Sequence, residues 1–456
     1  MTNILKRIVN PITCIVFALC VSVGEASADE LIRYHSGEIA TSGSIIKHYG
    51  SHRDVVCYQG SGEPYFMLYN ELSSTSYALF LTDMDTIYDF EIYDDTIYFC
   101  GEGYAYVAGA AMVGYFDVAT LTSPASANVA YLPMPLMKNV TAIDVAYLAS
   151  RKHVVGIGES IQSEGMMVDL IDELSYWNVN FSVIGGDTIT LSDLAIVRDY
   201  VVVTSIQKAT HSPFLFFPNA RLWYIDIPTV PGNSLFPSNV NYKDLPLNYS
   251  ATGKYLIEPM MDGNTFVTAY KKMFHGNGVN PFVVSYYNGL SYIKSVEMEA
   301  LPENQVQLGD ISYTFDNHCV EVLLYGDYRT SSGMTPGSVI YEIPDPPLPS
   351  TLYAHAKYGI YLESLDRGWS FFSLGEGISV GYKPGTLVPY FIKYENGSFA
   401  HCLQRINFTG IEVQIEHKGH EEFVESTQIY QLPKPIISYK KLLGVLEECK
   451  SITNND

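Results

Sequence analysis

Five carboxylates recur at comparable places along the chain: Asp89, Asp144, Asp193, Glu258 and Asp310. Each stands beside the apolar part of a short segment, and His355 takes the same place in a sixth segment. The steps between them are 55, 49, 65, 52 and 45 residues. If the six segments are equivalent, their side chains meet at one rim. Like charges gathered there disfavour ionisation, so backbone donors, solvent or a cation must offset the repulsion. The favoured expectation is structural: a carboxylate accepting hydrogen bonds from backbone N–H groups at a strand start. No cofactor is then required, and Asp144→Asn is expected to cost little. The chemical alternative is an acidic mouth for a cationic ligand, where an oxygen-rich ring suits Ca²⁺ or Mg²⁺.

The surrounding sequence must position these groups. Ile87-Tyr88-Asp89-Phe90-Glu91-Ile92-Tyr93 and Thr96-Ile97-Tyr98-Phe99-Cys100 alternate apolar and polar residues around Asp94-Asp95. This is the period-2 pattern of half-buried strands joined by a tight turn. Looser copies run through Ala142–Leu170, Leu191–Ile227, Leu256–Tyr286, Leu308–Ile343 and Leu352–Glu363. A unit of about 40 to 50 residues with several strands is the signature of a propeller blade. The chain is therefore read as all-β, a β-propeller over residues 45–435. Six repeats plus strand-like ends predict seven blades, with six as the alternative. The ring is expected to close by pairing residues 45–82 with residues 405–432, because an unclosed ring would leave sheet edges exposed. Residues 29–44 read as a leader. Residues 436–456 read as a C-terminal tail, either a short helix or a last strand.

The segment Ser364-Leu365-Asp366-Arg367-Gly368-Trp369-Ser370-Phe371 resembles the Asp-box of sialidase-like and other propellers. Ser364, Asp366, Gly368 and Phe371 match its positions, with Ser370 and Phe371 replacing the usual threonine and tryptophan. The resemblance covers eight residues and implies a structural hairpin, not chemistry. The repeat style is also similar to that of exported bacterial propellers. A sialidase would need an arginine cluster for its substrate's carboxylate. The chain has only nine arginines and no early Arg-Ile-Pro motif, which argues against that activity.

Lys6-Arg7, the apolar run Ile12–Val23 and Ala26-Ser27-Ala28 form a secretory signal series, so residues 1–28 are expected to be removed. Leu19 before Cys20 is too large for a lipidation site. An exported protein is expected, periplasmic, cell-surface or extracellular, with no membrane span. The 456-residue chain has a net charge of −22; losing Lys6, Arg7 and Glu25 leaves −23. Such a surface repels nucleic acid and anionic lipid. After processing, Cys57, Cys100, Cys319, Cys402 and Cys449 remain, an odd number and no disulfide framework. Cys100 and Cys319 read as core residues, and Cys402 with Cys449 form the candidate pair. His48/His52 and His417/His420 have metal-like spacing but no helical pattern to aim them, so no zinc site is expected. No nucleophile elbow, phosphate loop or dinucleotide fingerprint occurs. The sequence reads as a monomeric, non-catalytic binding module for a protein or glycan. A glycan-active or other hydrolase with its site at the propeller mouth is the alternative, since fold alone does not fix function.

Overall fold

A computed structural model describes residues 32–35, most of 44–344 apart from short loops, and the strand segments 358–362, 370–375, 378–383, 388–393, 403–406, 410–423, 429–441 and 443–450. The signal series, Ser364–Trp369 of the Asp-box-like stretch, His355 and Cys402 lie outside the described residues. So does the side-chain environment of Phe371.

The first strand is β1 (Ile32–His35), inside the stretch read as a leader. Four-stranded antiparallel meanders follow. The first is β2 (Ile45–His48), β3 (Arg53–Tyr58), β4 (Tyr65–Asn70) and β5 (Thr75–Phe80). The second is β6 (Met84–Tyr93), β7 (Thr96–Gly103), β8 (Ala110–Asp117) and β9 (Ser126–Pro133). The third is β10 (Met137–Leu148), β11 (Arg151–Ser160), β12 (Gly165–Asp172) and β13 (Ser175–Phe181). Then come β14 (Thr188–Val197), β15 (Tyr200–Lys208), β16 (Asn219–Asp226) and β17 (Asn239–Asp244). They are followed by β18 (Ala251–Pro259), β19 (Thr265–Lys272), β20 (Phe282–Asn288) and β21 (Ser291–Met298). Next are β22 (Gln305–Thr314), β23 (Cys319–Thr330), β24 (Gly333–Pro344) and β25 (Tyr358–Leu362). A three-stranded meander of β26 (Ser370–Gly375), β27 (Ile378–Lys383) and β28 (Val388–Lys393) ends the series. The result is an all-β propeller.

Six short strands remain: β29 (Leu403–Ile406), β30 (Gly410–Val413), β31 (Lys418–Phe423), β32 (Ile429–Gln431), β33 (Ile436–Lys441) and β34 (Leu443–Lys450). They form a strap that runs back round the outside of the ring. β29 pairs with β25, β30 with β21, β31 with β17, β32 with β13 and β33 with β9. β34 then reaches β5 and β1. The outer edges of β25, β21, β17, β13, β9 and β5 are thus covered by later strands, and that of β28 by β1.

Three expectations are corrected here. Hydrogen bonding defines six sheets, the alternative count: five of five strands and one of nine, in the order β2-β3-β4-β5-β34-β1-β28-β27-β26. The first and last meanders are not separate because β34 and β1 join them edge to edge. Closure does use both chain ends, but residues 45–80 meet Leu443–Leu446, while the strands within 403–431 cap other sheets. The sixth repeat was also misplaced: Tyr358–Leu362 is the outer strand of the β22 meander, paired with β24. Of the tail, Ile436–Lys441 and Leu443–Lys450 are strand, one of the two forms expected for it.

The inner strands follow one another round the axis, and β26 lies beside both β22 and β2. The core sits between neighbouring sheets. Phe66 of one packs edge-on against Phe90 and Phe116 of the next, while Trp177 and Trp223 share a cluster with Val155 and Val203. This explains the near-continuous apolar run Ile97–Cys100, fully buried in β7: its sheet is covered on both faces. Each such side chain contributes about 1.5–3 kcal/mol by leaving water. Asp94 and Asp95 both take positive φ, 49° and 58°, as a two-residue type I′ hairpin requires. The strap is held by side chains as well. His417, between β30 and β31, contacts the Tyr287 hydroxyl at 2.7 Å through Nε2, and Ile415 N donates to the Tyr292 hydroxyl at 3.1 Å. Burial lowers the His417 pKa to about 4, so it is neutral over the physiological range.

Candidate functional site

The inner strands enclose an axial cavity of about 640 Å³, lined from β2, β6, β10, β14, β18 and β22. All five carboxylates expected at one rim line it: Asp89, Asp144, Asp193, Glu258 and Asp310. Local backbone geometry turns them inward. A register shift precedes Asp89 (Ile87/Asp89), Asp193 (Leu191/Asp193) and Asp310 (Leu308/Asp310). A bulge of this kind re-aims the next side chain. In β10 the shift falls at Val140/Ala142 and in β18 at Thr252/Tyr255. Asp144 and Glu258 therefore stand two and three residues further along their strands. Only three of the five occupy a common register.

The carboxylates stitch neighbouring sheets together. Asp89 accepts from Phe90 N at 2.8 Å and from Ile143 N of the next inner strand at 3.0 Å. Asp144 accepts from Val145 N and Ile196 N, both at 2.6 Å. Asp193 accepts from Leu194 N at 2.9 Å and Ile257 N at 3.0 Å. Glu258 accepts from Tyr313 N at 3.4 Å, a longer contact, and Asp310 from Ile311 N at 2.9 Å. These are the backbone donors that a structural role calls for. They join one inner strand to the next at a level where the ladder cannot, because successive inner strands belong to different sheets.

Sequence reasoning missed two residues. Glu91 lies two positions after Asp89, hence on the same strand face, and lines the cavity. The period-2 rule alone would have found it. Lys47 comes from β2, ahead of the first recognised repeat, and its Nζ lies 3.3 Å from Glu91 Oε2. Burial alone would lower its pKa. Glu91, Asp89, Glu258 and Asp310 overcome that and hold it well above the usual lysine value. Lys47 is therefore a resident cation. A second lysine, Lys254, donates to the Gly309 carbonyl at 2.9 Å.

Burial raises the acid pKa values in spite of these partners. Asp89 is pushed up to about 6, limited by Lys47 and its two N–H donors. Asp144 and Asp193 rise to about 7, and Glu258 to about 8. Desolvation is the largest cause in each case, with neighbouring carboxylates adding to it.

Because both oxygens of Asp144 accept N–H bonds, the small effect anticipated for Asp144→Asn must be revised. An amide offers one acceptor and sets its NH₂ against the other N–H. Equilibrium denaturation should show a loss of about 1–3 kcal/mol. A loss below roughly 0.5 kcal/mol, within the range of a neutral surface change, would mean the inter-sheet bond is not needed.

The other sequence candidates fall elsewhere. Among the described residues no group of three or more His, Cys, Asp or Glu side chains is placed to hold a metal ion. His48 also lines the cavity, with Nδ1 3.0 Å from Asp54 Oδ1. Cys57, Cys100 and Cys319 are buried free thiols. Away from the cavity, the buried Asp169 accepts from Arg151 at 2.5 Å and Trp177 Nε1 at 2.8 Å, with His153 Nδ1 2.9 Å away, tying β11, β12 and β13 together. No helix among the described residues is long and apolar enough to cross a membrane.

The fold and its axial cavity define the class, a β-propeller. Compared with known proteins, the chain matches no family model and no curated sequence.

Proposed function

We propose that this propeller is an exported, non-catalytic binding module whose ligand site is the axial cavity. One observation carries the reading: the cavity's carboxylates are already engaged by backbone N–H groups and by Lys47. Groups so fixed serve as a stationary field, not as a mobile acid and base. The side chains from β6 to β22 bring six carboxyl groups to the cavity, and its negative charge grows as Asp89, Asp144, Asp193 and Glu258 ionise with rising pH. It favours a ligand carrying a positive group, such as a lysine-bearing segment of a protein or an amino sugar, over an anionic one.

Calorimetric titration with a lysine-rich peptide and with glucosamine oligomers tests this. Binding should be seen with at least one of them, should weaken with salt, and should be lost in the double variant Glu258→Gln/Asp310→Asn. N-acetylated oligomers, lacking the charge, should bind less. Absence of binding by both cationic probes would sink the proposal. Stabilisation by Ca²⁺ that disappears in the same variant would replace it with a metal site.

A hydrolase is the second reading, supported by the raised pKa values of Asp144, Asp193 and Glu258. A carboxylic acid kept protonated near neutrality is what general-acid cleavage of a glycoside needs. Release of reducing sugar from the oligomers would favour it over binding alone.

A further inference from the structure

We propose that β34 is a latch whose release swings the Lys47-bearing meander away from the carboxylate ring. The pairing of β34 is divided along its length. Leu443–Leu446 pair with β5. Glu447–Lys450 pair with β1, which pairs in turn with β28. One eight-residue strand thus spans the seam between the first meander and the last.

On one side of that seam lies the sheet run β5-β4-β3-β2, and β2 carries Lys47 at its inner end. The other strands that line the cavity head sheets capped by β29 to β33, whose hydrogen bonding does not pass through β34. Only Leu442 separates β34 from β33, and β33 is independently paired with β9 over Ile436–Lys441. The last strand can therefore detach while the rest of the strap stays in place. Detachment unpairs β5 on its outer side and leaves β1 held by β28 alone. The β2–β5 meander then keeps only its packing against neighbours. Moving it outward takes the Lys47 ammonium from Glu91 and leaves the five carboxylates without that cation. The latch acts on the cavity whatever ligand the cavity takes.

Amine-acylation footprinting and hydrogen exchange of the full chain test the latch. Val445→Pro removes a donor and fixes φ in the half facing β5, and Glu448→Pro does so in the half facing β1. In either variant Lys47 should be acylated about tenfold faster as the meander opens locally. The exposed Lys138, whose side chain is 59% accessible, serves as the unchanged reference. Amides of β2 and β5 should exchange faster with Val445→Pro, and those of β1 with Glu448→Pro, while β14 and β15 keep their protection. Wild-type labelling of Lys47 in both variants, or equal loss of protection in every sheet, would overturn the proposal. Should the proline variants not fold, Ser76→Cys/Val445→Cys supplies the converse. These positions face each other across β5 and β34. The oxidised form should label at Lys47 more slowly than the same protein reduced, and equal rates would refute the latch.

Discussion

Raising the pH from about 5 to about 7 should make the protein less stable. Asp89, Asp144, Asp193 and Glu258 have pKa values raised on folding to about 6, 7, 7 and 8. The folded chain therefore holds protons that the unfolded chain has released near pH 4. Stability from this source is complete below the ordinary carboxylate range and is lost as pH rises through the raised values. Each net proton contributes a slope of about 1.4 kcal/mol per pH unit. The four groups are only half-buried, and solvent in the cavity screens them. If screening leaves a single net proton, about 3 kcal/mol disappears over this interval. For a chain of this size the melting temperature should fall by roughly 3 °C. Lys47 adds no slope here, since its raised pKa matters only in strong alkali. Calorimetry across the interval provides the check, with Glu258→Gln expected to flatten the curve. A melting temperature that is constant or rises toward pH 7 would show that the carboxylates are ionised in the folded ring at little cost.

The second large effect should come from glycines on the second strands. Gly101 lies against Thr86, and Gly158 against Asn139, where the register of the inner strands shifts. A Cβ added to either would fall on a backbone carbonyl oxygen, far inside the 3.0 Å that real Cβ contacts respect. A carbonyl in a paired strand cannot swing aside as a side chain would. The inner strand must shift, and with it the carboxylate that the register places. Gly101→Ala and Gly158→Ala should each cost about 3 kcal/mol or more, beyond ordinary overpacking because backbone must move. Gly419→Ala in the strap, with nothing within 4 Å of its Cβ, should be near neutral. Denaturant midpoints read both, and equal effects at the three sites would refute this account.

These glycines also show what was legible in the sequence. Alternation and the Asp94-Asp95 turn revealed the inner two strands of most meanders because those signals are local. The convergence of Asp89, Asp144, Asp193, Glu258 and Asp310 followed from recurrence alone. Their unequal registers did not, since a bulge depends on which cross-strand neighbour lacks a side chain. Lys47 escaped notice because its strand is four residues long and precedes the first clear repeat. The pairing of the strap was out of reach for a similar reason. Strands of three to eight residues carry little periodicity, and their partners lie far away in the chain.

The strap's reverse order also has a consequence for how the chain is made. Its pairings are nested: β29 meets β25, close behind it in sequence, while Leu443 in β34 must find Ala78 near the beginning. Synthesis from the N-terminus delivers the meanders long before the strands that cap them. A nascent chain halted before Leu403 carries outer edges with no cap, each open to pairing with another chain. Loop closure is least costly for β29 and most costly for β34. Capping should therefore proceed backward along the ring, last-made sheet first, and the two ends of the polypeptide should meet only when the whole chain has emerged.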